Sequence, residues 1–89
     1  MATLQVTCHV PDGTDADQRI DAIGGVGWKH LINDAIRYIE PPLVHSYWTY
    51  AAGVRAEVIV ATRPNGRKYL KTTADGVEPN NLLALPRCP

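Results

Sequence analysis

A proline pair, Pro41–Pro42, ends the one stretch of this chain that carries helical spacing. Ahead of it Trp28, Leu31, Ile32, Ala35, Ile36 and Ile39 recur at three-and-four intervals, while Lys29, His30, Asn33, Asp34, Arg37 and Glu40 fill the other face. Pro41 pushes Glu40 into extended geometry, and the second proline prevents the helix from resuming. A helix of about 12 residues does not hold its shape alone in water. Its apolar stripe needs a sheet to lie on, and the rest of the chain has to supply that sheet.

The strands read as follows. Thr3 to Val10 alternates, with Leu4, Val6, Cys8 and Val10 on one face and Thr3, Gln5, Thr7 and His9 on the other. Pro11, Asp12 and Gly13 end it, and an acidic loop runs on to Asp17. Arg19 to Ile23 is a short second strand, after which Gly24, Gly25 and Gly27 break the chain before the helix. Beyond the prolines come two hairpins. A three-residue loop at Pro64–Asn65–Gly66 pairs Val60 with Leu70 and Val58 with Thr72, which keeps Lys71 off the buried face. The same logic at Ala51–Ala52–Gly53 pairs Tyr50 with Val54 and Trp48 with Ala56. A turn at Asp75–Gly76 follows, with Asn80–Asn81 placed to cap a short turn before Leu82, Leu83 and Leu85. The expected architecture is α+β: an antiparallel sheet in the order β-β-α-β-β-β, one helix packed on one face and a C-terminal tail folded back. The expected core is Leu4, Val6, Trp28, Leu31, Ile32, Ile36, Trp48, Val58, Val60 and Leu70.

With 89 residues, 45% of them hydrophobic and 20% charged, the chain suits a single domain over 1–89 with one core. Nine basic and nine acidic residues cancel, which argues against binding nucleic acid by bulk charge. The balance is uneven along the chain: residues 1–50 carry three basic against six acidic side chains, and residues 51–89 six against three. The two halves either neutralise each other within the fold or favour head-to-tail association. No apolar run spans a membrane, and no leader pattern opens the sequence. Two cysteines, Cys8 and Cys88, are too few for a disulfide scaffold, so a cytoplasmic location is expected.

Catalytic or metal chemistry has little to build on. His45 and Ser46 are neighbours in a strand and leave opposite faces, as do Cys8 and His9, so neither pair forms a nucleophile with its base. Cys8 and Cys88 on a shared metal would need two further ligands, and no motif offers them. Cys8 is read as a core residue and Cys88 as a tail residue. Asp12, Asp15, Asp17 and Asp21 lack the spacing of a calcium loop. Neither a metal, a cofactor nor an enzymatic activity is expected. Gly24, Gly25 and Gly27, with Lys29, form a weak candidate anion site at a helix N-terminus, set against the plainer reading of a tight entry to the helix.

The outer face of the hairpin sheet is the best candidate for work. The expected registers place Tyr47, Arg55, Arg67, Tyr69 and Lys71 there together, a mixture of aromatic and cationic groups. Such a face suits a protein partner or a second copy of the chain. Single-stranded nucleic acid, stacking on the tyrosines, is the alternative.

Ile23-Gly24-Gly25, Trp28, Ala35-Ile36, Lys68-Tyr69-Leu70-Lys71-Thr72, Ala74-Asp75-Gly76, Pro79-Asn80-Asn81-Leu82-Leu83, Leu85-Pro86 and Cys88 together resemble a family of small bacterial proteins, domain of unknown function 3892. The stretch from Gly25 to Trp28 is shorter than that resemblance leads one to expect. It implies a single domain with these boundaries and brings no mechanism.

Overall fold

The structure, a computed structural model, describes residues 2–41, 44–51, 53–76 and 80–88, and only the backbone of residues 2, 51 and 80. Its elements are β1 (Ala2–Gln5), β2 (Cys8–Pro11), β3 (Ile20–Gly25), β4 (Trp28–Leu31), α1 (Ile32–Ile39), β5 (His45–Ala51), β6 (Val54–Thr62), β7 (Lys68–Thr72) and the short α2 (Asn80–Leu83). A four-stranded sheet runs β1-β5-β6-β7, with β1 parallel to β5 and the other pairs antiparallel. A three-stranded antiparallel sheet runs β2-β3-β4. Helix α1 packs against strands of both sheets, and α2 against β2, β5 and β7. The α+β class is as expected, with the sheet divided in two.

The division happens inside the first expected strand. At Val6 the backbone N–H still donates to Trp48 O, at 2.8 Å; at Thr7 it donates to Gly24 O instead, also at 2.8 Å. The chain therefore passes from one sheet to the other between two adjacent residues. This puts Val6 at 1% exposure and lets His9, expected on the polar face, be buried at 5%.

The helix starts later than its spacing suggests. Trp28–Leu31 pairs with β3, Gly25 opposite Trp28 and Ala22 opposite Leu31, so the first turn of the expected helix is a strand. In this geometry Trp28 and His30 share one face while Leu31 turns outward at 57% exposure, so Leu31 leaves the core. The far end behaves as read. Glu40 is extended, with φ −67° and ψ 151°, while its N–H still donates to Ile36 O. Pro42 lies outside the described residues.

The β6–β7 hairpin has the expected register, Val60 opposite Leu70 and Val58 opposite Thr72. Gly66 takes the left-handed position at φ 87°, and its N–H donates to Arg63 O. The β5–β6 hairpin does not. Trp48 faces Glu57, Thr49 faces Ala56 and Tyr50 faces Arg55, a slip of one residue from the expected register. Gly53 at φ 77° allows the tighter connection; Ala52 lies outside the described residues. A one-residue slip exchanges the two faces. Tyr47 and Thr49 go inside, at 0% and 1% exposure, and Trp48 leaves the core for the outer face.

The core gathers Val6, Ile20, Ile23, Ile32, Ile36, Tyr47, Val58, Leu70 and Leu82, with Leu4, Trp28 and Val60 packed against it. Leu82 is fully buried, so the tail does fold back. Asp75 organises that return: its carboxylate accepts from the backbone N–H of Thr72 and of Asn81. The Asn80 side chain, expected as a cap, lies outside the described residues.

Candidate functional site

The five residues expected on one outer face are not a common platform. Tyr47 is on the opposite face, fully buried, because of the β5–β6 slip. Tyr69 has the expected parity, yet it is only 4% exposed and the Arg63 guanidinium lies 4.1 Å from its ring centroid. Arg67 reaches the acidic loop, 2.7 Å from Asp15 and 3.8 Å from Asp17. The Lys71 ammonium donates to Gly76 O. Of the five, Arg55 alone stands on an accessible aromatic surface.

That surface is made by residues the expected register had turned inward. Trp48 and Tyr50 of β5 project from the outer face beside Arg55 and Glu57 of β6. Tyr50 is 58% exposed. The Arg55 guanidinium sits 4.2 Å above the Trp48 ring and 3.7 Å from the Glu57 carboxylate, which fixes a planar cation over a planar ring. The reverse face carries Tyr47, Val58 and Leu70 and is occupied by Ile36 of α1 and Leu82 of α2.

The anion-site expectation fails for a definite reason. Gly24 and Gly25 are inside β3, Lys29 is inside β4, and the helix begins only at Ile32, so no helix N-terminus stands over the glycines. Gly24 and Gly25 serve close packing instead, and Gly27 takes a left-handed turn position at φ 79° between β3 and β4. A Cβ on Gly24 would lie 2.9 Å from Cys8 Sγ and 3.0 Å from Cys88 Sγ; one on Gly25 would lie 2.4 Å from both Gln5 O and Trp28 Nε1. The two sulfurs form a disulfide, which the cysteine count had argued against. The fold makes it by bringing β2 and residues 86–88 together: His9 N–H donates to Pro86 O and Cys88 N–H to His9 O. Cys8 and Cys88 are 80 positions apart, and no local signal in the sequence reports such a meeting.

A second cluster went unread in the sequence. Trp28 and His30 of β4, Tyr38 of α1, and His45 and Tyr47 of β5 pack ring against ring, with His30 and His45 stacked at 5.5 Å. His30 Nδ1 and the Tyr47 hydroxyl share a 2.8 Å hydrogen bond. Burial holds the His30 pKa below its ordinary value, nearby His45 lowers it further, and Asp34 opposes both. Burial also raises the Tyr47 pKa, so the pair is neutral imidazole against protonated phenol. His9 is likewise lowered, chiefly by burial, against hydrogen bonds to the Leu85 and Pro86 backbone. Ser46 faces the other way, donating to Thr3 Oγ1, so this cluster has no nearby serine nucleophile.

The sign of the pH effect follows. Below the ordinary histidine value of 6.5 the unfolded chain takes up protons that the folded His9 and His30 resist, so stability falls as pH drops. Thermal melts should therefore shift downward between about pH 7 and pH 5, and His30→Gln should remove part of that shift. A flat profile over this range would contradict the burial of these rings.

The charge asymmetry is resolved inside the fold. Asp15 and Asp17 meet Arg67, Glu40 meets Lys68, and the Asn65 amide donates to Asp17. Asp12 and Asp15 also cap their own loop, Asp12 accepting from Thr14 and Asp15 from Asp17 and Gln18. These bonds hold both carboxyls below the usual carboxylate range. A cleft of about 560 Å³ beside this region is lined by Arg37, Arg67 and Lys68, and each of these cations already has an acidic partner. Among the described residues no group of three or more His, Cys, Asp or Glu is placed to hold a metal. No helix there is long and apolar enough to cross a membrane.

A family model described as protein of unknown function (DUF3892) matches residues 5–86. No curated protein and no solved structure matches the chain.

Proposed function

We propose that this chain, which belongs to the DUF3892 family, is a non-enzymatic interaction module that binds a protein partner or a second copy of itself through the outer face of the β5–β6 hairpin. One observation carries the reading: Trp48 and Tyr50 stand on the solvent side of a sheet whose other side is filled, with Arg55 stacked on Trp48. Tryptophan, tyrosine and arginine are the residues that most often anchor protein interfaces. The nucleic-acid alternative has less to stand on. It needs free cations around accessible rings, whereas Arg67 is ion-paired, Lys71 is engaged with Gly76 O, and Tyr47 and Tyr69 are buried. The family match brings no activity with it.

The Cys8–Cys88 disulfide removes the cysteine-count argument for a cytoplasmic location. Cytoplasmic thiols work against a disulfide there, and fractionation of the native host tests the placement.

Tyr50→Ala should keep the fold and weaken partner capture at least about 30-fold, the loss typical of a central aromatic anchor. Affinity capture from nuclease-treated and untreated lysate, with sedimentation of the pure protein, checks this. Capture that survives nuclease and falls with the variant supports the proposal. Binding that vanishes with nuclease, or is unchanged in Tyr50→Ala, removes it.

A further inference from the structure

We propose that the Cys8–Cys88 disulfide is a thiol-exchange site: a small, carboxylate-bearing thiol enters the pocket beside it, opens the bond and uncouples residues 85–88 from strand β2. Both cysteines line a pocket of about 160 Å³ together with Gly25, Trp28 and Lys29. Liquid water takes about 30 Å³ per molecule, so this volume admits the thiol end of a small molecule and excludes a folded protein. A purely structural bridge is better served by a sealed position; this one has a solvent-facing side. On its other side the sulfurs rest against the backbone of Gly24, where a Cβ would lie within 3.0 Å of each.

The pocket also has the right chemistry. Lys29 supplies a positive charge at the wall, which favours an incoming thiolate, a neighbouring carboxylate and the thiolate that leaves. Trp28 supplies an apolar wall for the methylene groups between them.

The two sulfurs are unequal. Cys8 is fixed in β2 opposite Gly24, while Cys88 belongs to a segment outside the named strands and joined to β2 through His9. Exchange therefore begins at Cys88. The incoming thiolate sulfur bonds to Cys88 Sγ as the Cys8–Cys88 bond breaks, and the electron pair leaves on Cys8 Sγ, which takes a proton from water. A second thiolate attacks the incoming sulfur, leaves as a small symmetrical disulfide and releases Cys88 as a thiolate that is then protonated. Two small thiols are oxidised and one protein disulfide is reduced; the two protons lost by the thiols match those gained by the cysteines. With the bond open, residues 85–88 are held to β2 by far less, and the cover over His9 loosens.

The experiment uses the intact oxidised protein and reduced glutathione in native buffer, quenched at intervals with acid and N-ethylmaleimide and read by mass spectrometry. The expected course is a transient single glutathione adduct on Cys88, then two maleimides, with an unchanged far-ultraviolet circular dichroism spectrum. Lys29→Glu should slow the reaction with glutathione about tenfold and slow that with 2-mercaptoethanol, whose thiolate has no neighbouring carboxylate, several-fold less. Amide exchange at His9 and Cys88 should rise after reduction while that of Tyr47 stays slow. Cleavage only at the rate of global unfolding, or a Lys29→Glu protein that reacts with glutathione at the wild-type rate, would overturn the proposal.

Discussion

Tyr47→Ala should cost about 3–5 kcal/mol, as truncating a large buried aromatic does, against a total stability for such domains of about 5–15 kcal/mol. The ring is fully buried among Ile36, Val58 and Leu70, and its hydroxyl is bonded to His30. For a domain of this size the melting temperature should fall by more than about 12 °C. Trp48→Ala, one residue along, should cost about 1–2 kcal/mol, because it loses a half-buried ring and the Arg55 contact only. Tyr47→Phe should fall between wild type and Tyr47→Ala, losing about 1 kcal/mol with the hydrogen bond. The reverse order, with Trp48→Ala the more damaging, would mean that the hairpin has a three-residue loop and that the outer face has been misassigned.

Gly25→Ala should cost about 3 kcal/mol although it adds one methyl group. The new Cβ would stand 2.4 Å from the Gln5 carbonyl and 2.4 Å from the Trp28 indole nitrogen, and both neighbours are held in strands. Either the first sheet moves off the second or Trp28 leaves its place against the core. Gly13→Ala is the control, since a Cβ there meets nothing within 4 Å and φ is ordinary. Denaturant titration of the two variants measures the difference. Equal stabilities would show that Gly25 is not pressed between β1 and β4 and would reopen the reading of Gly24, Gly25 and Gly27 as a break ahead of the helix.

These contrasts show which parts of the fold the chain announces locally. Pro64–Asn65–Gly66 specifies its own turn, and Pro41 specifies the helix end, so the β6–β7 register and the close of α1 were legible. Val58, Leu70, Ile32 and Ile36 followed from simple periodicity. The β5–β6 register was not legible, because β5 carries aromatic residues on both faces: Tyr47 inside, Trp48 and Tyr50 outside. Alternation cannot choose between two such faces, and Ala51–Ala52–Gly53 suits a loop of either length. Trp28 and Leu31 misled in a related way. Their spacing extends the helical stripe, while Gly25 opposite Trp28 and Ala22 opposite Leu31 permit a strand pairing that only the tertiary fold reveals. The disulfide and the His30–His45–Tyr47 cluster join residues distant in sequence, so they become visible only once β2 meets residues 86–88 and β4 meets β5.

For the candidate site the consequence is specific. Tyrosine and arginine on an outer sheet face follow from composition and alternation, but the members differ. Arg55 stays, the β5–β6 slip exchanges Tyr47 for Trp48 and Tyr50, and burial beside Arg63 removes Tyr69 while Arg67 and Lys71 are engaged elsewhere.

The interaction surface is tested most directly by site-specific photo-cross-linking in the native host, with a benzophenone amino acid at position 50 and, as a control, at exposed position 37 of α1. A discrete protein adduct, of one partner or of the chain with itself, is expected from position 50 and none from position 37. No adduct from position 50, or the same adducts from both positions, would contradict the proposed interaction surface.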